Sequence, residues 1–311
     1  MDKAAVRAEP KDYFSKEEWA RLIRRSSLSG PLMVAHGWIV ILASAAVATL
    51  YPNIVTVPLA IMLIGARQLG LSILMHDAAH GLLYPNQKVN DFLGAWICGW
   101  PTGADLGRYR PYHLKHHKYV QGPKDPDLKL SAPFPITPKS LRRKIIRDLT
   151  GQTFFKQRVR PWFYGLDAKA RATPAFKAFV QSQLNFVLVN LAAAAVLTAL
   201  GLGWSYLVFW LVPLATWNPL VTRSRNIAEH ACVKADGGVL TQARTTRANL
   251  IERALVAPYY VNYHLEHHMF MHLPCTALPR AHSLLVKKGF ADRMEIGRSY
   301  LAVLEKAAPA A

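Results

Sequence analysis

Apolar residues along this chain gather into four blocks, each bounded by polar or turn-forming residues. They run from Pro31 to Leu50, Ile54 to Met75, Phe179 to Leu200 and Trp204 to Val221. A helix needs about 20 residues to cross a hydrocarbon core, so each block is read as one transmembrane helix. The blocks come in pairs. Tyr51-Pro52-Asn53 joins the first pair and Gly201-Leu202-Gly203 the second, and neither turn carries a charge. The expected fold is all-α and membrane-integral, with four transmembrane helices in two hairpins beneath a cytoplasmic helical cap. Residues 31–285 form the membrane domain, with the cap at 76–178 and 222–285. Residues 1–30 form a cytoplasmic amphipathic segment and 286–311 a cytoplasmic tail.

Shorter patterns fill in the cap. Asp91 to Pro101 (DFLGAWICGWP) is apolar but too short to cross, which suits an interfacial or re-entrant helix. Basic and aliphatic residues alternate at helical spacing from Pro138 to Arg147, as in a helix lying on headgroups. Ser15 and Glu18 have capping-box spacing and open a short amphipathic helix reaching Arg25. Arg67 and Gln68 interrupt the second block, where a charge either snorkels to headgroups or serves the substrate channel. Arg108 and Arg110 suit the membrane surface or an acidic headgroup.

Composition agrees with a membrane class: 51% of residues are hydrophobic and the mean hydropathy is +0.10. The net charge of +19 raises nucleic acid as a partner, but its distribution argues for topology instead. Of the 38 Lys and Arg residues, 37 fall outside the blocks and outside the two joining turns. By the positive-inside rule those segments are cytoplasmic and face anionic headgroups, and no nucleic-acid signature accompanies them. Alanine- and arginine-rich composition points to a bacterial inner membrane. The three cysteines, Cys98, Cys232 and Cys275, make no CxxC pair, so neither a disulfide framework nor a cysteine metal site is expected.

Chemistry concentrates in the histidines. Nine of twelve fall in tight groups: His76 and His80 in HDAAH, His113, His116 and His117 in HLKHH, His264, His267 and His268 in HLEHH, and His230 in NIAEH. On a helix, residues three and four apart share a face, so each group aims its imidazoles together. All four groups lie on the side that carries the basic residues. Nine imidazoles exceed the four ligands of a typical zinc site, so two metal ions are expected. His36 and His282 stand alone and read as structural, whereas His272 follows the third box by four residues and could face the site.

With HDAAH, HLKHH, HLEHH and the Asn226–His230 pair in order around two hydrophobic hairpins, the sequence resembles the membrane fatty acid desaturase and hydroxylase family from about residue 30 to 285. The resemblance implies two iron ions held by the nine histidines, with Asn226 acting through a water. It implies O2 activation and hydrogen abstraction from an unactivated methylene, giving an alkene from a lipid or acyl substrate. Asp77, Asp125, Asp127, Glu229 and Glu266 are expected to accept the outer N–H of ligating histidines. No cytochrome b5-like HPGG segment is present, and His264 stands where front-end desaturases carry glutamine. A separate electron donor, of ferredoxin or cytochrome b5 type, is therefore expected.

Two other readings use the same features. A hydroxylase or ketolase of a carotenoid or sphingolipid would carry the same boxes. A membrane metal transporter would also bind metal through histidines, but its ligands belong near the bilayer midplane, and the apolar blocks hold no paired histidines.

Overall fold

The computed structural model describes residues 5–234 and 238–310, so the first four residues of the charged N-terminal segment and the last of the tail lie outside the described residues. The chain is mostly helical. Its strands, β1 (Thr245–Thr246) and β2 (Ile296–Gly297), pair in parallel over two residues each.

Among the described residues, three helices are long and apolar enough to cross a membrane: α2 (Ser29–Leu50), α3 (Thr56–Ala79) and α6 (Pro174–Ala199). The short α1 (Lys16–Leu22) precedes them, opened by the expected capping box between Ser15 and Glu18. α4 (Leu106–Tyr119) and α5 (Pro138–Leu149) lie between α3 and α6. α7 (Trp217–His230), α8 (His264–Met269), α9 (Leu278–Lys287) and α10 (Tyr300–Ala307) follow.

Burial explains how the long helices sit. α3 is buried on every side from Ile64 to Ala79, and so forms the central post. Its small residues admit close neighbours: a side chain at Gly65 would meet Trp217 and one at Gly70 would meet Tyr259. α2 buries a single stripe, Gly30, Val34, Gly37 and Ile41, while Leu32, Ile39 and Leu42 face outward. α6 is inverted relative to a soluble helix. Its buried residues are Gln183 and Asn190, seven apart, and Leu184, Leu188, Leu191 and Val196 are exposed. Polar groups inward and leucines outward suit a lipid surround, where each inward amide must find a partner.

The fourth apolar block is not one long helix. It runs as Gly203–Tyr206, a π turn at Leu207–Leu211 and Val212–Ala215, then breaks at Thr216 before α7. Pro213 and Pro219 explain this, since each withholds an N–H from the carbonyl four residues earlier and crowds it. Asp91 to Pro101 is likewise broken by a π turn, Leu93–Gly99. It packs on α3, with Gly94 against Ala78, and accepts a bond from Trp38 Nε1 at Ile97 O (3.1 Å).

Two arginines behave differently from their surface readings. Arg67 does not snorkel: it is 6% exposed and donates to the carbonyls of Ala254 (2.5 Å) and Arg253 (3.3 Å). Arg110 pairs with Asp91 and also donates to Ala78 O and Ala79 O. In both cases the guanidinium ties elements together.

Candidate metal centre

Four elements deliver the nine boxed histidines to one place. His76 lies in the last turn of α3 and His80 caps it. α4 starts at Asp105, whose side chain accepts the Arg108 N–H (3.0 Å), and presents His113, His116 and His117. His230 ends α7, and α8 is little more than the third box itself. α8 is held from behind. Leu265, Met269 and Phe270 pack into one cluster with Phe14 and Leu22 of the N-terminal segment.

The rings sort into two groups that cut across the sequence boxes. His76, His80, His113, His117 and His267 form one; His116, His230, His264 and His268 form the other. Within each, the facing nitrogens all lie within 4.8 Å of one another. Helical geometry accounts for the sorting. Residues i and i+4 differ by about 40° around the axis, so His76/His80, His113/His117 and His264/His268 each stay together. The fourth position of each HxxHH box turns away by about 60° on the other side. Thus His116 leaves its own box for the second group, and His267 leaves its box for the first.

The donor set fits metal ions. Nε2···Nε2 separations are 2.9 Å for His113–His117 and His117–His267. In the second group they run from 2.9 to 3.3 Å. Such values match the edge of a coordination shell with metal–nitrogen bonds of about 2.1 Å. His76 Nε2 and both nitrogens of His80 are buried without a hydrogen-bond partner among the described residues, which a bound cation would satisfy. Burial, followed by repulsion from neighbouring groups, holds His113, His117, His230, His264, His267 and His268 well below the ordinary imidazole pKa. They therefore stand neutral, with lone pairs available.

The six polar residues expected around the histidines divide. His116 Nδ1 donates to Asp125 (2.7 Å), which leaves the Nε2 lone pair facing the group. His264 Nδ1 lies 3.3 Å from Glu229, and Arg225 pairs with that carboxylate at 2.6 Å. Burial pushes Glu229 up to about 7 despite the guanidinium. Asn226 borders a void of about 30 Å³ shared with His116, His230 and His264, large enough for one water. The other three bind elsewhere. Asp77 accepts the Cys275 N–H (3.0 Å) and stays 3.8 Å from His76 Nδ1. Asp127 bonds Tyr112 and lies 3.8 Å from His116. Glu266 accepts a hydrogen bond from the Thr245 hydroxyl and lies 2.6 Å from His282 Nδ1.

Several neighbours were not singled out beforehand. Tyr109 stacks on His113 at 5.1 Å and 10°, and Arg225 braces Glu229. Both are i,i+4 pairs and so were open to view in the sequence. Thr245 and the partnership of His282 with Glu266 had no local signal, because they join segments separated by loops.

Comparison with known proteins now adds to this geometry. The family model for fatty acid desaturases matches residues 52–296. A relative, dihydrorhizobitoxine desaturase of Bradyrhizobium elkanii, is 30% identical over 282 residues, which cover 87% of this chain and 80% of the relative. Matches of that extent, spanning all four histidine groups, make this chain a member of the fatty acid desaturase family and an oxidoreductase of desaturase type.

Proposed function

We propose that the protein is an O2-dependent desaturase whose nine boxed histidines hold two iron ions and which introduces a double bond into an acyl-type chain. The observation that carries this reading is the division of nine mutually facing imidazoles into groups of five and four. When bound, the irons would supply O2 activation and hydrogen abstraction from a saturated carbon. The balanced reaction removes two hydrogens from adjacent carbons and takes two electrons and two protons, reducing O2 to two waters. A separate ferredoxin or cytochrome b5-type carrier is the proposed electron source, and a basic cytoplasmic face would suit an acidic one.

The chain's own residues do the positioning. Asp125 holds the Nδ1 proton of His116 and Glu229 lies 3.3 Å from His264 Nδ1, and both rings turn their Nε2 inward. Asn226 borders both the water-sized void and the larger cavity that reaches His76. α2, α3 and α6 would hold the protein in the bilayer, with the histidines on the cytoplasmic side. The Bradyrhizobium relative is named for dihydrorhizobitoxine and not for a fatty acid. Family membership therefore leaves the substrate open.

The test is metal content together with lipid and small-molecule products, for wild type and His267→Ala, in a host of known fatty acid composition. About two irons per chain, with unsaturated products that vanish in the variant, is the expected result. Hydroxylated product without any alkene would overturn desaturation in favour of hydroxylation. Zinc without any oxidised product would overturn the oxidase reading altogether.

A further inference from the structure

Two cavities lie on either side of the Pro101–Thr102 corner, and they differ in chemistry. The larger, about 550 Å³, is walled by apolar residues of α2, α6 and the broken fourth segment, with Ile41, Leu197 and Phe209 among them, and no histidine borders it. Asn190, Tyr206 and Trp210, which line it, are tied into a knot at Pro101. The Asn190 amide donates to Pro101 O (3.1 Å), and its carbonyl accepts from Tyr206 (2.9 Å) and Trp210 (2.7 Å). The smaller cavity, about 330 Å³, is the one that touches His76 and Asn226. No residue lines both.

The smaller cavity is not built for a long hydrocarbon. Small-molecule sites run from roughly 300 to 1,000 Å³, which puts this one at the low end. Ser72, Thr102, Asn218 and Thr222 lie in its wall beside three arginines, Arg158, Arg223 and Arg225, and neither Asp nor Glu lines it. Two of the arginines are neutralised from behind: Arg223 by Asp148 at 2.5 Å and Arg225 by Glu229 at 2.6 Å. Among the described residues Arg158 has no carboxylate partner. It donates to Gln183 Oε1 (2.8 Å) and stands 5.4 Å over the Phe186 ring. Its guanidinium also lies against Gly103, where a side chain would meet it at 2.7 Å. Burial works against the charged form and lowers its pKa. An anion would relieve that cost, and the guanidinium fork suits carboxylate or phosphate.

We propose, on the desaturase reading above, that the substrate is a short molecule with an anionic group bound by Arg158, its saturated carbons extending along the same cavity toward His76 and Asn226. An acyl chain lying in the apolar cleft would be outside that cavity, with which the cleft shares no lining residue. Calorimetric titration of the metal-loaded, detergent-solubilised full chain with hexanoate, hexyl phosphate and hexanamide tests this. At least one anion should bind wild type about tenfold or more tightly than hexanamide. Arg158→Gln should erase the preference and Arg158→Lys should keep part of it. The stronger anion identifies the head group as carboxylate or phosphate. Equal binding of all three probes, or a preference that survives Arg158→Gln because the anion sits on the metals, would overturn the inference. Iron content of the same samples separates the two readings. Two irons without anion preference sinks this inference alone, whereas anion preference without iron sinks the desaturase reading.

Discussion

The two histidine groups draw on the same two HxxHH boxes, yet they are supported differently. The four-histidine group is braced from outside: Asp125 backs His116, and Glu229, itself paired with Arg225, backs His264. The five-histidine group has aromatic and imidazole neighbours instead, with Tyr109 stacked on His113 and Asp77 turned away toward Cys275. In the first, carboxylates stand behind two of the four rings, with a hydrogen bond to His116, and in the second the rings rest on the packing of α3, α4 and α8. The lesson is that HxxHH is a unit of helix geometry and not a unit of metal binding. It distributes its first and last members to one side and its fourth to the other.

The largest expected effect follows from that exchange. His113→Ala combined with His267→Ala removes two members of the five-histidine group and should leave about one metal per chain. His113→Ala combined with His116→Ala strikes both groups and should leave almost none, although both histidines belong to a single sequence box. Both double variants should lose all product. Metal analysis of purified protein decides the matter, and the reverse order would mean that the boxes themselves are the binding units.

Much of this arrangement could be read in the sequence, and the parts that could not have a common cause. The i,i+4 pairs, the capping box that opens α1 and the three long apolar helices follow from local pattern alone. The allocation of His116 does not, because adjacent residues on a helix point about 100° apart and only the docked partners decide what each ring meets. Asp77 looked equivalent to Asp125 by position, yet its partner is a backbone N–H almost two hundred residues away. The fourth apolar block had the length of a span, and only its prolines, Pro213 and Pro219, signalled the broken helix. Arg67 read as a headgroup or substrate-channel charge because the carbonyls of Arg253 and Ala254 that receive it come from a distant part of the chain.

Asp125→Asn is the next largest change and acts on one group only. It removes the carboxylate that fixes the His116 tautomer, and such changes typically cost about 10–100-fold in metal affinity or activity. Metal titration should show one site weakened and the other untouched. Equal weakening of both sites would mean that the groups are mechanically one.

Asp77→Asn provides the counterpart at the five-histidine group. Since Asp77 touches a backbone N–H and no boxed imidazole within hydrogen-bond distance, its loss should destabilise the fold by about 1–3 kcal/mol while metal stoichiometry holds. Thermal unfolding of the metal-loaded protein measures the first and elemental analysis the second. A missing metal with unchanged unfolding would show that this group too depends on a carboxylate.

The smallest effect serves as a control on the comparison. α8 supplies His267 to one group and His264 and His268 to the other, and its far side rests on Phe14 and Leu22 around the N-terminal helix α1. Ser15 caps that helix through a box closed with Glu18. Ser15→Ala should therefore cost about 0.5–2 kcal/mol and loosen the support of α8 as a whole. Because α8 feeds both groups, the two sites should weaken together and by a similar small factor when metal release to a chelator is followed. Release from one group alone would mean that α8 does not move as a rigid piece, and that each imidazole is held by its own neighbours across the interface.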